Sequence, residues 1–207
     1  MKKNMLAVIL IVICSFVTFA QEKGVIEFGG NLGVNFSRVS DGDGDVADSR
    51  TAFNIGASGE YYFSNRWGIK AKLIYDSKGW ANAFITNVHT GVTTDTDFKL
   101  NYITIPVMAN WHFGATRKWY LNFGPYIGFL ASAKDSELKE DIKEAFKATD
   151  FGFAYGIGYK FSVSEKLKMY VEYENESGFS DISEDNFGGS VRTHRGALNL
   201  GILMRLK

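Results

Sequence analysis

The sequence predicts an all-β chain: an eight-stranded antiparallel up-and-down transmembrane β-barrel. Three observations carry that prediction. Apolar side chains recur at every second residue in segment after segment, the period of a strand with two unlike faces. The connections alternate between very short and long, the pattern of a barrel with tight turns at one rim and loops at the other. Aromatic residues flank the short connections, where a membrane–water interface favours them.

Eight segments show the period. The first is Val25 to Val39, with Ile26, Phe28, Leu32, Val34 and Phe36 on one face. The second, Thr51 to Phe63, carries Phe53, Ile55, Ala57, Tyr61 and Phe63. Trp67 to Asp76 follows with Ile69, Ala71, Leu73 and Tyr75, then Leu100 to Phe113 with Ile103, Ile105, Val107, Ala109, Trp111 and Phe113. The fifth is Trp119 to Ala131 with Leu121, Phe123, Ile127 and Phe129. The sixth, "DFGFAYGIGYKF" from Asp150, alternates large apolar groups with Gly152, Ala154, Gly156, Gly158 and Lys160. Leu167 to Glu174 and Arg195 to Leu206 complete the set. Only "SNR", "GATRK" and "SVSEK" separate the second from the third, the fourth from the fifth and the sixth from the seventh. The other connections predict outer loops over 37–50, 76–97, 132–149 and 175–193.

Volume decides which face lies inside. An eight-stranded interior is just wide enough for side chains to fill it, and the apolar face, rich in Phe, Tyr and Trp, would overfill it. The opposite face carries Gly29, Gly33, Gly56, Gly124, Gly152, Gly156, Gly158 and Gly201 with Asn31, Asn54, Ser58 and Asn122. That face is expected inside. It also bears Glu27, Glu60, Glu172 and Glu174 against Lys70, Lys72, Lys160, Lys168, Arg195 and Arg205, a near balance that predicts a paired charge network in the lumen. The expected aromatic girdle is Phe63, Trp67, Trp111, Phe113, Trp119, Tyr159 and Phe161. A soluble ligand-binding barrel, the alternative, would put the apolar face inside.

Turn lengths predict registers. A three-residue "SNR" loop sets Phe63 against Trp67 and Glu60 against Lys70; a five-residue "GATRK" loop sets Phe113 against Trp119. The same rule on "SVSEK" sets Gly158 against Tyr170 and Lys160 against Lys168, a like-charge pair.

The first twenty residues read as a cleaved secretory signal: Lys2 and Lys3, an apolar run Leu6 to Val17, and Ala20 before the cut. Residues 21–207 then form the barrel domain. The only cysteine, Cys14, leaves with the signal. Removing Lys2 and Lys3 turns 23 basic against 23 acidic groups into 21 against 23, so there is no basic footprint for nucleic acid.

The strands "LNYITIPVMANWHF" and "KWYLNFGPYIGFLASAK" resemble the PorT-like outer-membrane β-barrel family of Bacteroidetes, through Tyr102-Ile103-x-Ile105-Pro106 and Gly124-Pro125-Tyr126. The resemblance implies residence in the outer membrane, contact with its lipid, and the barrel-assembly machinery as a partner during biogenesis. One relative of that family serves a secretion system, so a secretion or surface partner at the outer loops is an alternative role. The last strand also resembles an assembly signal through Asn199, Gly201, Met204 and Leu206, without the terminal aromatic. Pro106 and Pro125 each remove a ladder donor and predict a bulge or bend.

Candidate chemistry is sparse. "DGDGD" at Asp41 to Asp45 fails the EF-hand pattern, with Val46 at position six and Ala52 at twelve, and reads as an acidic loop. His112 is expected inside near a short turn, and His89 and His194 in outer loops. His194 with Ser190, Asp181 or Asp185 would be the pair of a lipid-modifying enzyme, the alternative to a non-enzymatic structural or interaction barrel. No metal or other cofactor is called for. "SELKEDIKEAFK", from Ser136 to Lys147, spaces Leu138, Ile142 and Phe146 by four and predicts a short helix.

Overall fold

In the computed structural model, which describes residues 23–41, 44–45, 48–86, 90–184 and 190–206, eight long strands close into a cylinder. They are β1 (Ile26–Asp41), β3 (Asp48–Tyr62), β4 (Trp67–Thr86), β5 (Thr93–Phe113), β6 (Trp119–Asp135), β7 (Thr149–Ser162), β8 (Leu167–Gly178) and β9 (Arg192–Arg205). A two-residue strand, β2 (Gly44–Asp45), folds back on the end of β1. Each wall strand pairs antiparallel with the next, and β9 pairs back with β1 from Glu27↔Arg205 to Ser40↔Arg192.

The apolar face lies outside. Phe53, Phe151, Tyr155, Ile157, Leu198 and Leu200 are exposed, whereas Glu60, Lys70 and Asn122 are buried. The alternation therefore runs opposite to that of a soluble barrel.

The registers Glu60↔Lys70 and Phe113↔Trp119 are as the turn lengths predict. The β7–β8 register is corrected by two residues: Gly158 faces Glu172, Lys160 faces Tyr170, and Ser162 faces Lys168. The turn is tighter than five residues because Val163 and Ser164 both donate to the Leu167 carbonyl. That register removes the like-charge pair.

The proline bulges are also corrected. Pro106 faces Tyr126, and the β5–β6 register is the same on both sides of Pro125. The ladders simply lapse there: β4–β5 pairing skips Lys72 and Leu73 opposite Pro106, and β5–β6 pairing skips Val107 and Met108 opposite Pro125. A missing donor costs a rung without displacing the strand. The register shifts lie elsewhere, at Ser49/Asn54, Trp80/Ala83 and Asn101/Tyr102.

The wall is taller than the periodic segments suggest. β4 and β5 continue as a hairpin to Thr86 and Thr93, through most of the expected 76–97 loop; β1, β6 and β8 also run past their expected ends. The expected helix over 136–147 is a single 3₁₀ turn, Lys143–Ala145. The helical run is broken at Lys139, which takes a positive φ of 58°, and Asp135 accepts the Leu138 and Glu140 N–H groups around it. Ile142 and Phe146 nonetheless pack inward, onto an apolar cluster of Val39, Trp80, Leu100, Tyr102, Leu130, Ala133 and Ile182 at the long-loop end. Phe146 meets Trp80 and Phe98 edge-on at 5.8 and 6.4 Å.

The bare glycines of the inner face are seats for tyrosine rings. Tyr120 faces Gly158, Tyr126 faces Gly152 and Tyr170 faces Gly201 across neighbouring strands. A Cβ on Gly158 or Gly201 would overlap the ring above it. Gly158→Ala should therefore lower the urea-unfolding free energy in lipid vesicles by about 1–3 kcal/mol. Gly59→Ala, where a Cβ meets nothing within 4 Å, should leave it nearly unchanged; equal effects would contradict the seating.

Candidate functional site

Strand parity aims a line of ionisable side chains at the barrel axis. β1 supplies Glu27, β3 Glu60, β4 Lys70, Lys72, Asp76 and Lys78, β7 Asp150 and Lys160, β8 Lys168, Glu172, Glu174 and Glu176, and β9 Arg195, all buried. They touch in one continuous path. At the short-turn end Lys168 and Lys160 hold Glu27, and Lys160 also holds Glu60. Lys70 then bridges Glu60 at 3.2 Å and Glu172 at 2.8 Å. Lys72 bridges Glu172 at 2.8 Å and Glu174 at 2.7 Å. Arg195 joins Glu174, Glu176 and Asp76 at 3.0, 3.1 and 3.0 Å. Lys78 closes the path on Glu176 at 2.8 Å and Asp150 at 3.3 Å.

Neutral donors fill the gaps. The Tyr62 hydroxyl lies 2.6 Å from Glu60 and 3.0 Å from Glu27 and shares its one hydrogen between the two carboxylates. Tyr120 and Asn122 donate to Glu172 at 3.0 and 2.6 Å. Asn54 accepts from Asn31 and donates to Asn35 and Asn199, and Asn35 donates onward to Asp76 at 2.6 Å. Lys70 lies over the rings of Tyr120 and Tyr170, and Lys78 over Tyr126. Buried charge is costly unless paired and hydrogen-bonded, and here each cation lies between carboxylates or against one.

The residues expected in the lumen fall as follows. Glu27, Glu60, Lys70, Lys72, Lys160, Lys168, Glu172, Glu174 and Arg195 are in the path. Arg205 sits half-buried at the short-turn end, across from Glu27 in the ladder. Asp76, Lys78, Asp150 and Glu176 belong to the path and were not singled out from sequence. Three of them stand in or beside segments read as loops, where a charge looks solvated; their even numbering, matching Lys72 and Glu174, was the available signal. His112 is buried between Tyr62 and Tyr120, its Nδ1 2.9 Å from the Arg117 carbonyl.

On the outer surface the girdle residues form a row near the short turns. Trp67 stacks on Trp111 at 6.0 Å, followed by Phe113, Trp119, Tyr159 and Phe161 at 5.3, 6.4, 5.0 and 4.8 Å. Phe63 is exposed at the turn before β4.

Over the opposite end lies a polar clasp. Asp181 accepts the N–H groups of Ser183 and Val191 at 3.1 and 2.9 Å and pairs with Lys147 at 3.2 Å. Asp150 accepts Ser180 Oγ at 2.9 Å and Thr193 Oγ1 at 2.8 Å, tying this clasp to the lumen. His194 does not join Asp181: its Nε2 is 2.9 Å from Ser40 Oγ, on the outer face. His89 and Asp185 lie outside the described residues, as do residues 1–22 with the expected signal, and the side chains of Asp41 and Asp45 are likewise not described. Among the described residues no cluster of His, Cys, Asp and Glu could hold a metal ion.

A sequence model of the outer membrane protein beta-barrel domain matches residues 19–184. The chain belongs to this family. The match covers β1 to β8, and β9 closes the wall beyond it. Among solved structures the barrel is similar to the outer membrane protein OprG of Pseudomonas aeruginosa, with 12% identity over 90% of this chain and 98% of that one and a TM-score of 0.53. It is also similar to Neisserial surface protein A, with 18% identity over 86% and 96% and a TM-score of 0.50. A search of curated proteins finds no match. This member of the family is a small barrel of the outer membrane, with the short turns on the periplasmic side and the long loops outside.

Two outcomes follow. Glu172 is the hub of the path, so Glu172→Gln should cost about 3 kcal/mol in vesicle unfolding by stranding buried ammonium groups; adding Lys72→Met should recover part of that loss. A double variant worse than the single would contradict the pairing. In the outer clasp, desolvation raises the Asp181 carboxyl, but the Ser183 and Val191 donors and Lys147 outweigh it and hold it below its ordinary value. Its contribution is present above the unfolded pKa near ~3.9 and is lost as pH falls through the lower folded value. Amide-exchange protection at Ser183 and Val191 should fall below about pH 4 while that of β9 persists.

Proposed function

We propose that the chain is a sealed, non-enzymatic barrel that anchors and presents its outer loops, a structural or interaction role. One observation carries this reading: the lumen is occupied from end to end by the ion-pair path and tyrosine rings, with an apolar cluster closing the long-loop end. What remains addressable is the outer surface: the β4–β5 hairpin, the 136–147 segment and the 180–184 turn. In this reading residues 1–20 are removed as a signal, residues 21–207 form the barrel domain, and the barrel-assembly machinery inserts it. Lumen charges act as packing that excludes water and ions, and the aromatic row sets the depth at the periplasmic interface.

The likeness of the β5–β6 hairpin to PorT-like barrels of Bacteroidetes supports a partner at those loops, including a component of a secretion apparatus. A lipid-modifying enzyme is the second reading, and the Ser40–His194 contact on the lipid-facing side favours it. Vesicles of outer-membrane lipid separate the two. Under the first reading the reconstituted protein passes no stepwise current in planar bilayers and leaves the lipids chemically unchanged by mass spectrometry. Steady openings would overturn the sealed lumen; a lipid product lost in Ser40→Ala would establish the enzyme.

A further inference from the structure

The three short turns carry Arg66, Arg117, Lys118 and Lys166 against a single acid, Glu165. Glu165 stands on the β7–β8 turn. In the ring of wall strands that turn lies opposite the β3–β4 turn, which bears Arg66. Beside the β3–β4 turn is a recess of about 520 Å³, lined by Lys23, Ser64, Asn65, Arg66, Trp67 and Arg117. Its lining contains cations and no acid.

Bonds between two turns fix this recess. Ser64 N–H donates to the Trp67 carbonyl at 3.1 Å and closes the β3–β4 turn. The β5–β6 turn is tied to it twice: His112 N–H donates to the Arg66 carbonyl at 2.7 Å, and Arg117 Nη1 to the Asn65 carbonyl at 3.4 Å. Two arginines far apart in sequence are thereby held at one opening. Their donors are mostly unspent. Arg117 gives one of its five N–H groups to Asn65. Among the described residues the Arg66 side chain has no hydrogen bond or ion pair, and Arg117 has no ion pair. Ser64 Oγ accepts the N–H groups of Arg66 and Trp67 at 3.2 and 2.9 Å, which leaves its own hydrogen to donate. Asn65 and Arg66 are exposed, and Arg117 is half-buried.

Depth supplies the second constraint. Trp67 begins the aromatic row, stacked on Trp111 at 6.0 Å and edge-on to Phe123 at 6.3 Å. Indole rings at a barrel's rim sit at the level of the headgroups. Arg66 precedes Trp67, about 3.4 Å further toward the periplasm. The recess therefore opens at headgroup height in the inner leaflet. Its Trp67 wall offers an apolar contact that a lipid can use and a free anion cannot.

We propose that this recess binds an anionic phospholipid of the periplasmic leaflet, of the phosphatidylglycerol type. Arg66 and Arg117 receive the phosphodiester, Ser64 Oγ and the Asn65 amide bond the headgroup oxygens, and Trp67 lies against the glycerol and the first acyl carbons. Guanidinium–phosphate hydrogen bonds are charge-assisted and directional. Turns already tied to each other need little further ordering on binding. The site is independent of what the outer loops engage.

The test uses the full barrel in detergent with phosphatidylglycerol as probe, read by native mass spectrometry. Phosphatidylethanolamine and water-soluble glycerol phosphate are the comparison arms, and both should bind more weakly. Arg66→Gln/Arg117→Gln, which keeps hydrogen-bonding side chains and removes the charge, should weaken phosphatidylglycerol at least about tenfold, the loss of a charge-assisted contact. Arg66→Lys/Arg117→Lys should retain part of the affinity. Lys166→Gln, on the opposite turn, should have no effect, and Glu22→Gln should not weaken binding. Heat-modifiable gel migration verifies that each variant is folded. The site is overturned if the glutamine double variant binds as the parent does, or if Lys166→Gln weakens binding equally, which would mean a diffuse basic rim. It is also overturned if phosphatidylethanolamine or glycerol phosphate binds as tightly as phosphatidylglycerol. A barrel that binds only once Glu22 is replaced would mean that the chain's own carboxylate fills the recess, and would overturn it too.

Discussion

Hydrocarbon offers no water to a backbone N–H or C=O, and the whole molecule is shaped by that constraint. Every spanning strand must have two neighbours, so the sheet closes, and here the closure is the long β1–β9 ladder. The two prolines show how tightly the constraint is observed. Pro106 and Pro125 lie in adjacent strands and each loses rungs on one side, yet the register runs on undisturbed. The strands tolerate a missing donor better than a slipped side-chain face, because a one-residue slip would turn the whole apolar set inward.

Closure at eight strands then dictates the interior. The cylinder is too narrow for large residues on every strand, so rings and glycines alternate between neighbours: Tyr120 over Gly158, Tyr126 over Gly152, Tyr170 over Gly201. The remaining space is polar, and charge placed there must be paired. The path from Lys168 to Asp150 meets that demand by letting most members serve two partners. A site that shares partners is expensive to open, since displacing one ammonium exposes carboxylates on either side. The same path links the wall to the outer clasp through Asp150, so lumen and loops are one hydrogen-bonded body at that end.

Much of this was legible in the sequence because period two is insensitive to detail: it places side chains on faces without knowing which strands pair. Short turns with unambiguous apolar flanks also gave the β3–β4 and β5–β6 registers. The β7–β8 register was not legible, since backbone bonds from Val163 and Ser164 to Leu167, rather than residue count, set that turn. The four-residue spacing of Leu138, Ile142 and Phe146 predicted a helix, but the backbone turns left-handed at Lys139 and interrupts it. Ile142 and Phe146 still pack inward, so the spacing reported burial and not conformation. Asp76, Lys78 and Glu176 escaped notice because the wall extends past the apolar band, and a charge beyond that band looks like a loop residue.

The orientation of the two faces is the central claim, and nitroxide accessibility measures it directly. Labels at Ile157 and Leu200, against labels at Ser58 and Thr104, would be compared in lipid vesicles for collision with oxygen and with a water-soluble nickel complex. The account predicts high oxygen and low nickel accessibility at Ile157 and Leu200, and low accessibility to both at Ser58 and Thr104. Labels at Ser58 and Thr104 that meet oxygen as freely as a lipid-facing site, with Ile157 and Leu200 shielded, would contradict it.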